Sequence, residues 1–222
     1  MVARRFLVAL ALALATLLPA HAQDLPELKR GDVIFQNSRS AQSLAILLAT
    51  DSPFTHVGIV DFDADGMPVV LEAVKTTRAT PLQDWVEQGK DSAVAIYRFD
   101  GLSEAQALAV TEAARSHFGK GYDPYFYKTE DALYCSELVN VAFRDGMGAA
   151  LGRVQRLGEL DLDSAAVRGL IEDRWQSHPA CADGQAQDAE SCLAVIRDEP
   201  LVTPQAVAED ARLQLVWSSF AD

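Results

Sequence analysis

Three side chains that together could break an acyl bond are scattered along this chain: the thiol of Cys135, the imidazole of His56 and the carboxylate of Glu72. The thiol stands in Tyr134-Cys135-Ser136-Glu137-Leu138-Val139. Apolar residues recur from it at Leu138, Val139, Ala142 and Phe143, the spacing of one helix face, and Gly146 offers a C-terminal stop. A sulfur on the first turn of a helix feels the positive end of the macrodipole, which favours thiolate over thiol. That is the setting of a nucleophile. The competing reading is a small buried apolar residue, because free cysteine is among the most buried types.

A nucleophilic thiol needs a base, and the base needs a group that fixes its tautomer. His117 falls near the end of a helix, where a cation suits the dipole, and reads as solvated surface. His178 precedes Pro179 in a polar loop and reads as exposed. His56 differs, because it opens the β-branched run Thr55 to Phe62 beside a loop. The following run, Val69 to Val74, carries Glu72 among apolar neighbours, where a lone carboxylate would be costly. A three-residue turn over Asp63-Ala64-Asp65, with Gly66 at positive φ, would set His56 directly opposite Glu72, with Cβ atoms about 5 Å apart. A loop one residue longer would send Glu72 to the other face. Imidazole and carboxylate would then satisfy each other. Cys, His and Glu could also hold zinc, but no C-x-x-C or H-x-x-x-H pair accompanies them, so neither a metal nor a cofactor is expected. The G-x-S-x-G elbow of serine hydrolases is absent.

The elements that must carry these groups are legible in outline. Strands are expected at Val33 to Phe35, Thr55 to Phe62, Val69 to Val74 and Ala93 to Phe99, then at Leu193 to Ile196 and Leu213 to Trp217. A helix bearing Leu44, Ile46, Leu47 and Leu48 would be capped from Ser38 to Ser40. Further helices are expected at Pro81 to Gln88, from Ser103 to Phe118 with Gln106 closing a capping box, and from Ala165 to Trp175. Thr203-Pro204 should open a helical turn. The fold class is α+β, a mostly antiparallel sheet with helices against one side.

Residues 1–22 read as a cleaved export signal: Arg4 and Arg5, a 13-residue apolar run from Phe6 to Leu18, and Ala20-His21-Ala22. The apolar run is too short to anchor the chain in a membrane. Residues 23–222 would form one domain in the periplasm, with the medium as second choice. Losing two of 19 basic residues leaves 17 against 32 acidic ones, a net −15, which excludes nucleic acid as a partner. In an oxidising compartment three cysteines sort into a pair and a remainder. Cys181 and Cys192 close a short polar loop and are expected to pair, which leaves Cys135 free.

Gly31-Asp32-Val33-Ile34-Phe35, His56-Val57-Gly58-Ile59, Leu71-Glu72-Ala73 and Tyr134-Cys135-Ser136-Glu137-Leu138-Val139 resemble, in that order, the permuted NlpC-type papain-fold cysteine hydrolases of the YiiX/YebB-like group. The likeness runs from about Lys29 to Arg174. In unpermuted relatives the cysteine helix comes first; here it follows the histidine hairpin. The resemblance implies a circularly permuted papain-like fold with Cys135 as nucleophile, His56 as base and Glu72 as the orienting residue. Glutamate departs from the histidine or other polar group usual at that third position. The Cys135 N–H would meet the oxyanion, with Tyr122 or Tyr134 as candidate substrate-binding groups. An exported amidase of this kind would meet peptidoglycan stem peptides. Lipid or N-acyl substrates are the alternative, with the aromatic loop Tyr122 to Tyr127 lining an acyl pocket. A binding protein with a vestigial triad is a third reading.

Overall fold

The computed structural model describes residues 25–221, apart from Lys128, Glu130 and Asp183. The expected export signal lies outside the described residues. Six antiparallel strands form the main sheet, in the order β10-β5-β1-β2-β3-β4. They are β1 (Val33–Ser38), β2 (His56–Phe62), β3 (Pro68–Ala73), β4 (Thr77–Pro81), β5 (Gly89–Phe99) and β10 (Leu213–Ser218). Strand alternation gives the sheet two apolar faces. Val33, Phe35, Val57, Ile59, Leu71 and Ala95 point to one. There they meet α3 (Glu104–Arg115) and α4 (Cys135–Met147), which bury Val110, Ala114, Leu138, Val139, Ala142 and Phe143. Ile34, Val60, Val70, Val94 and Ile96 point to the other, where α2 (Leu82–Gln88) lays the fully buried Trp85 across them. Helices therefore cover both faces, not one.

Ser103 caps α3 through the expected box with Gln106. The stop expected at Gly146 falls two residues later, where Gly148 takes φ 76° as the cap of α4. Gly146 has a different task. A Cβ there would lie 2.5 Å from the Val110 Cα and N, so its hydrogen lets α4 touch the α3 backbone. Gly146→Ala is expected to lower stability by about 3 kcal/mol, the upper end of overpacking costs, because backbone and not a flexible side chain must give. A urea midpoint measures it.

Three further expectations need correction. The helix after β1 is α1 (Ser43–Thr50); Gln42 precedes it without a side-chain cap, and Ser38 and Ser40 bond each other upstream. The β2–β3 loop is longer than three residues: Asp63 N–H donates to the Met67 carbonyl, and its carboxylate accepts from Asp65 and Met67. Leu193 to Ile196 is not a strand but the end of α6 (Ala189–Ile196), whose start is capped by Asp188 with Ser191.

Past α4 the chain adds a run of short elements, with Val202, Ala206 and Val207 entering the main core. The run comprises β8 (Gln155–Arg156), α5 (Ala165–Arg174), α6, β9 (Pro200–Leu201) and α7 (Pro204–Ala208). The Cys181–Cys192 disulfide ties the segment after α5 to α6, with Cα atoms 5.4 Å apart. It sits in a small core of its own with Ile196 and Trp175. Two short strands, β6 (Gly121–Tyr122) and β7 (Ala132–Leu133), pair in parallel and lead into α4.

Candidate active site

Cys135 is the first residue of α4 and is 3 % exposed. Its position follows from where the sheet opens. The β1–β2 ladder runs down to Gln36↔His56, but the β2–β3 ladder ends at Ile59↔Leu71. Val60 bonds the β1 side, accepting from Gly31 and donating to Asp32. Alternation therefore turns the Val57 N–H toward β3, where no ladder partner remains. The helix start fills that gap, and the sulfur takes the N–H groups of Val57 and Ser136. Burial pushes the thiol up. The hydrogen bond and charge of His56, with those two amides, outweigh burial and hold it below its ordinary value.

His56 stands at the mouth of the same gap. Its Nε2 lies 2.8 Å from Glu72 Oε2, which leaves Nδ1 for the sulfur. The pairing survives a register different from the one expected. Partners in β2 and β3 sum to 130 and not 128, so Glu72 is diagonal to His56 and level with Gly58. A shift of two residues keeps both side chains on one face. Gly58 permits the diagonal approach, because a Cβ there would fall 2.4 Å from Val70 Cγ1 and 2.8 Å from the Leu71 carbonyl. Trp85 stacks on the imidazole at 5.8 Å and closes its other side.

Glu72 is 1 % exposed and fully engaged. Oε1 accepts from Thr80 Oγ1 at 2.6 Å and from Arg78 Nε and Nη2 at 3.3 Å. Thr80 and Arg78 come from β4, a strand absent from the expected elements; the alternation Thr77-Arg78-Ala79-Thr80 before Pro81 was its sequence signal. Burial raises the Glu72 carboxyl, but bonds to His56 and Thr80 and the charges of His56 and Arg78 bring it below the usual range. Burial likewise pulls His56 down, and Cys135 and Glu72 together overcome that and raise it to about 10. Thiolate, imidazolium and carboxylate thus form one buried line of alternating charge.

Of the two tyrosines considered, Tyr134 has its hydroxyl bonded to backbone. Its hydroxyl accepts the Val202 N–H at 3.1 Å, its ring packs on Phe126, and it is 4 % exposed. The Tyr122 hydroxyl instead meets Gln42 Nε2. His178 is not exposed as expected: it is buried against the rings of Tyr125 and Tyr127, with Nδ1 accepting from Ala180. His117 is half-buried, and its Nε2 finds no partner among the described residues.

Beside the sulfur a cavity runs between α1, α5, α6 and the 124–126 loop. Ile46, Leu160, Leu170, Ile171, Ile196 and Leu201 give its wall, and Cys135 with Ser136 stands at one part of it. Besides the Cys135 thiolate, Arg174 is the one charged residue among its described lining.

A sheet with a helix-borne cysteine, a strand histidine and a carboxylate behind the ring defines a papain-like cysteine hydrolase, here with the helix after the histidine hairpin. The description of the permuted papain-like amidases, YaeF/YiiX, family C92, matches residues 27–217, and the chain belongs to that family. It is 33 % identical over 195 residues to the uncharacterised protein YiiX of Escherichia coli (strain K12), covering 86 % of this chain and 88 % of that one. The crystal structure of the metalloprotein YiiX from Escherichia coli O157:H7 superposes with a TM-score of 0.76 at 32 % identity, over 87 % of this chain and 98 % of that one.

Proposed function

We propose that this amidase removes an apolar acyl group from an amide, with Cys135 as nucleophile, His56 as proton carrier and Glu72 as its orienting partner. The thiolate attacks the acyl carbon, and the Cys135 N–H at the helix start receives the oxyanion. The His56 imidazolium gives its proton to the leaving nitrogen. Neutral His56 then takes a proton from water, which attacks the thioester and frees the acid.

The observation that carries the substrate class is the cavity wall. Aliphatic side chains from three helices surround the space next to the sulfur, which suits a hydrocarbon chain. A peptidoglycan stem peptide, the substrate expected from export, brings carboxylates and would need cationic partners there. Arg174 is already committed to Gln42 and the Pro124 carbonyl. An acidic protein adds repulsion. The disulfide supports an oxidising compartment, and the periplasm remains the proposed location.

The O157:H7 relative is described as a metalloprotein. The residues here do not fit a metal centre. No cluster of three or more His, Cys, Asp or Glu side chains suited to a metal occurs among the described residues, and Nε2 of His56 and both Glu72 oxygens are spent on protein partners.

Hydrolysis of N-acyl 4-nitroanilides tests the substrate class. Each buried CH₂ contributes about 0.8 kcal/mol, so kcat/KM is expected to rise at least about 10²-fold from acetyl to decanoyl. Mass spectrometry of muropeptide digests is the counter-test. Cleaved muropeptides beside untouched decanoyl amides would return the enzyme to the cell wall.

A further inference from the structure

Gln42, the residue before α1, joins two side chains of unlike hydrogen-bonding capacity. Arg174 Nη1 lies 3.0 Å from one end of its amide, and the Tyr122 hydroxyl meets the other. A guanidinium only donates, so the end facing Arg174 is Oε1. The end facing Tyr122 is then the amino group, which donates to the phenol oxygen. A phenol whose oxygen accepts keeps its own hydrogen free. Arg174 is anchored in turn, because Nη1 also donates to the Pro124 carbonyl at 2.5 Å, two residues beyond Tyr122.

Tyr122 is placed for that hydrogen to matter. It lies on β6 opposite Leu133, two residues before Cys135, and Arg174, which holds Gln42, lines the same cavity as Cys135. Burial raises its phenol, and the Cys135 charge raises it further, so the hydroxyl remains protonated beside the sulfur. Tyr134 differs in its partner: its hydroxyl accepts from the Val202 N–H and has, among the described residues, no side chain of the Gln42–Arg174 kind to orient it.

We propose that Gln42, locked by Arg174, is a positioning residue that turns the Tyr122 hydroxyl so that its hydrogen meets the oxyanion formed at Cys135. In the step it serves, the sulfur lone pair forms the C–S bond and the carbonyl π pair moves to oxygen. The Cys135 N–H and Tyr122 O–H hold that charge. On collapse the pair returns, the C–N bond breaks, and nitrogen takes the His56 proton. This rests on Cys135 being the nucleophile, and not on which acyl group the cavity takes.

The test compares two reactions of the same thiol in the full chain. Acylation by 4-nitrophenyl acetate passes through an oxyanion; alkylation by iodoacetamide does not. Gln42→Glu keeps the shape and the Arg174 contact but replaces the donor with an acceptor, which draws the phenol hydrogen away. Acylation is expected to fall about 10²-fold, the size of losing one oxyanion donor, while alkylation changes less than about twofold. Tyr122→Phe should lose a similar factor, and the double variant no more than either single one. Unchanged acylation in Gln42→Glu, multiplying losses in the double variant, or parallel loss of acylation and alkylation would each overturn the proposal. A wild-type thiol inert to both reagents would overturn it together with the nucleophile. A thiol that is acylated, while decanoyl amides stay intact, would overturn only the substrate class.

Discussion

Cys135→Ala is expected to cut turnover of a decanoyl amide by about 10⁴-fold or more while the protein stays folded. Covalent catalysis has no substitute when the nucleophile is gone; what remains is binding and the oxyanion donors. The stability effect should be small, within about 1 kcal/mol, although the thiol is 3 % exposed and charge-paired. Removing the sulfur leaves the imidazole its counter-charge in Glu72 at 2.8 Å, so no uncompensated ion is buried. Turnover and urea midpoint measured together separate loss of chemistry from loss of fold. A variant retaining a tenth of the activity would rule the sulfur out as nucleophile.

Glu72→Gln should cost about 10²–10³-fold in kcat/KM, by a different route. The carboxylate accepts at both oxygens, from His56 on one and from Thr80 and Arg78 on the other. An amide accepts at one end only, so either the ring or the β4 donors lose their acceptor. His56 also loses a counter-charge and falls from its raised value near 10, and the thiol rises toward its ordinary range. Iodoacetamide alkylation against pH reads this directly: the midpoint should move upward in the variant. An unmoved midpoint would mean that Glu72 does not tune the pair.

The wild-type pH dependence has a defined sign. Taken singly, a raised His56 stabilises the fold below pH 6.5, and that contribution is lost as pH climbs through about 10. A depressed Cys135 stabilises above its ordinary 9.0, and that is lost as acid reprotonates the thiolate. Below about pH 9, as far down as the Cys135 thiolate and the neutral unfolded imidazole both persist, the two cancel, because folding merely moves one proton from sulfur to imidazole. Stability from the pair is therefore flat there and falls on both sides. Turnover should fall above about pH 10, where the imidazolium can no longer protonate the leaving nitrogen, while alkylation persists because the thiolate remains.

What the sequence could and could not reveal divides along contact range. Cys135 was legible because helix spacing is local. His56 and Glu72 were legible because sheet faces repeat every second residue, so a register error of two left the pair intact. The direct opposition failed, since the longer loop rests on Asp63 capping its own turn, which residue types alone do not count out. Leu193 to Ile196 was too short a run to separate strand from helix. The Asp188–Ser191 cap decided it, placing Cys192 and Ile196 four apart on one buried face. The Arg174–Gln42 link spans 132 residues, and Trp85 stacks on His56 from a helix between distant strands; neither carries a local signal.

The most direct measurement is the intact mass of the enzyme quenched in acid during turnover of a decanoyl amide. A decanoyl adduct is expected on the peptide that contains Cys135, released by neutral hydroxylamine and missing in Cys135→Ala. Steady product formation with Cys135 unmodified, or an adduct on any other residue, would contradict it.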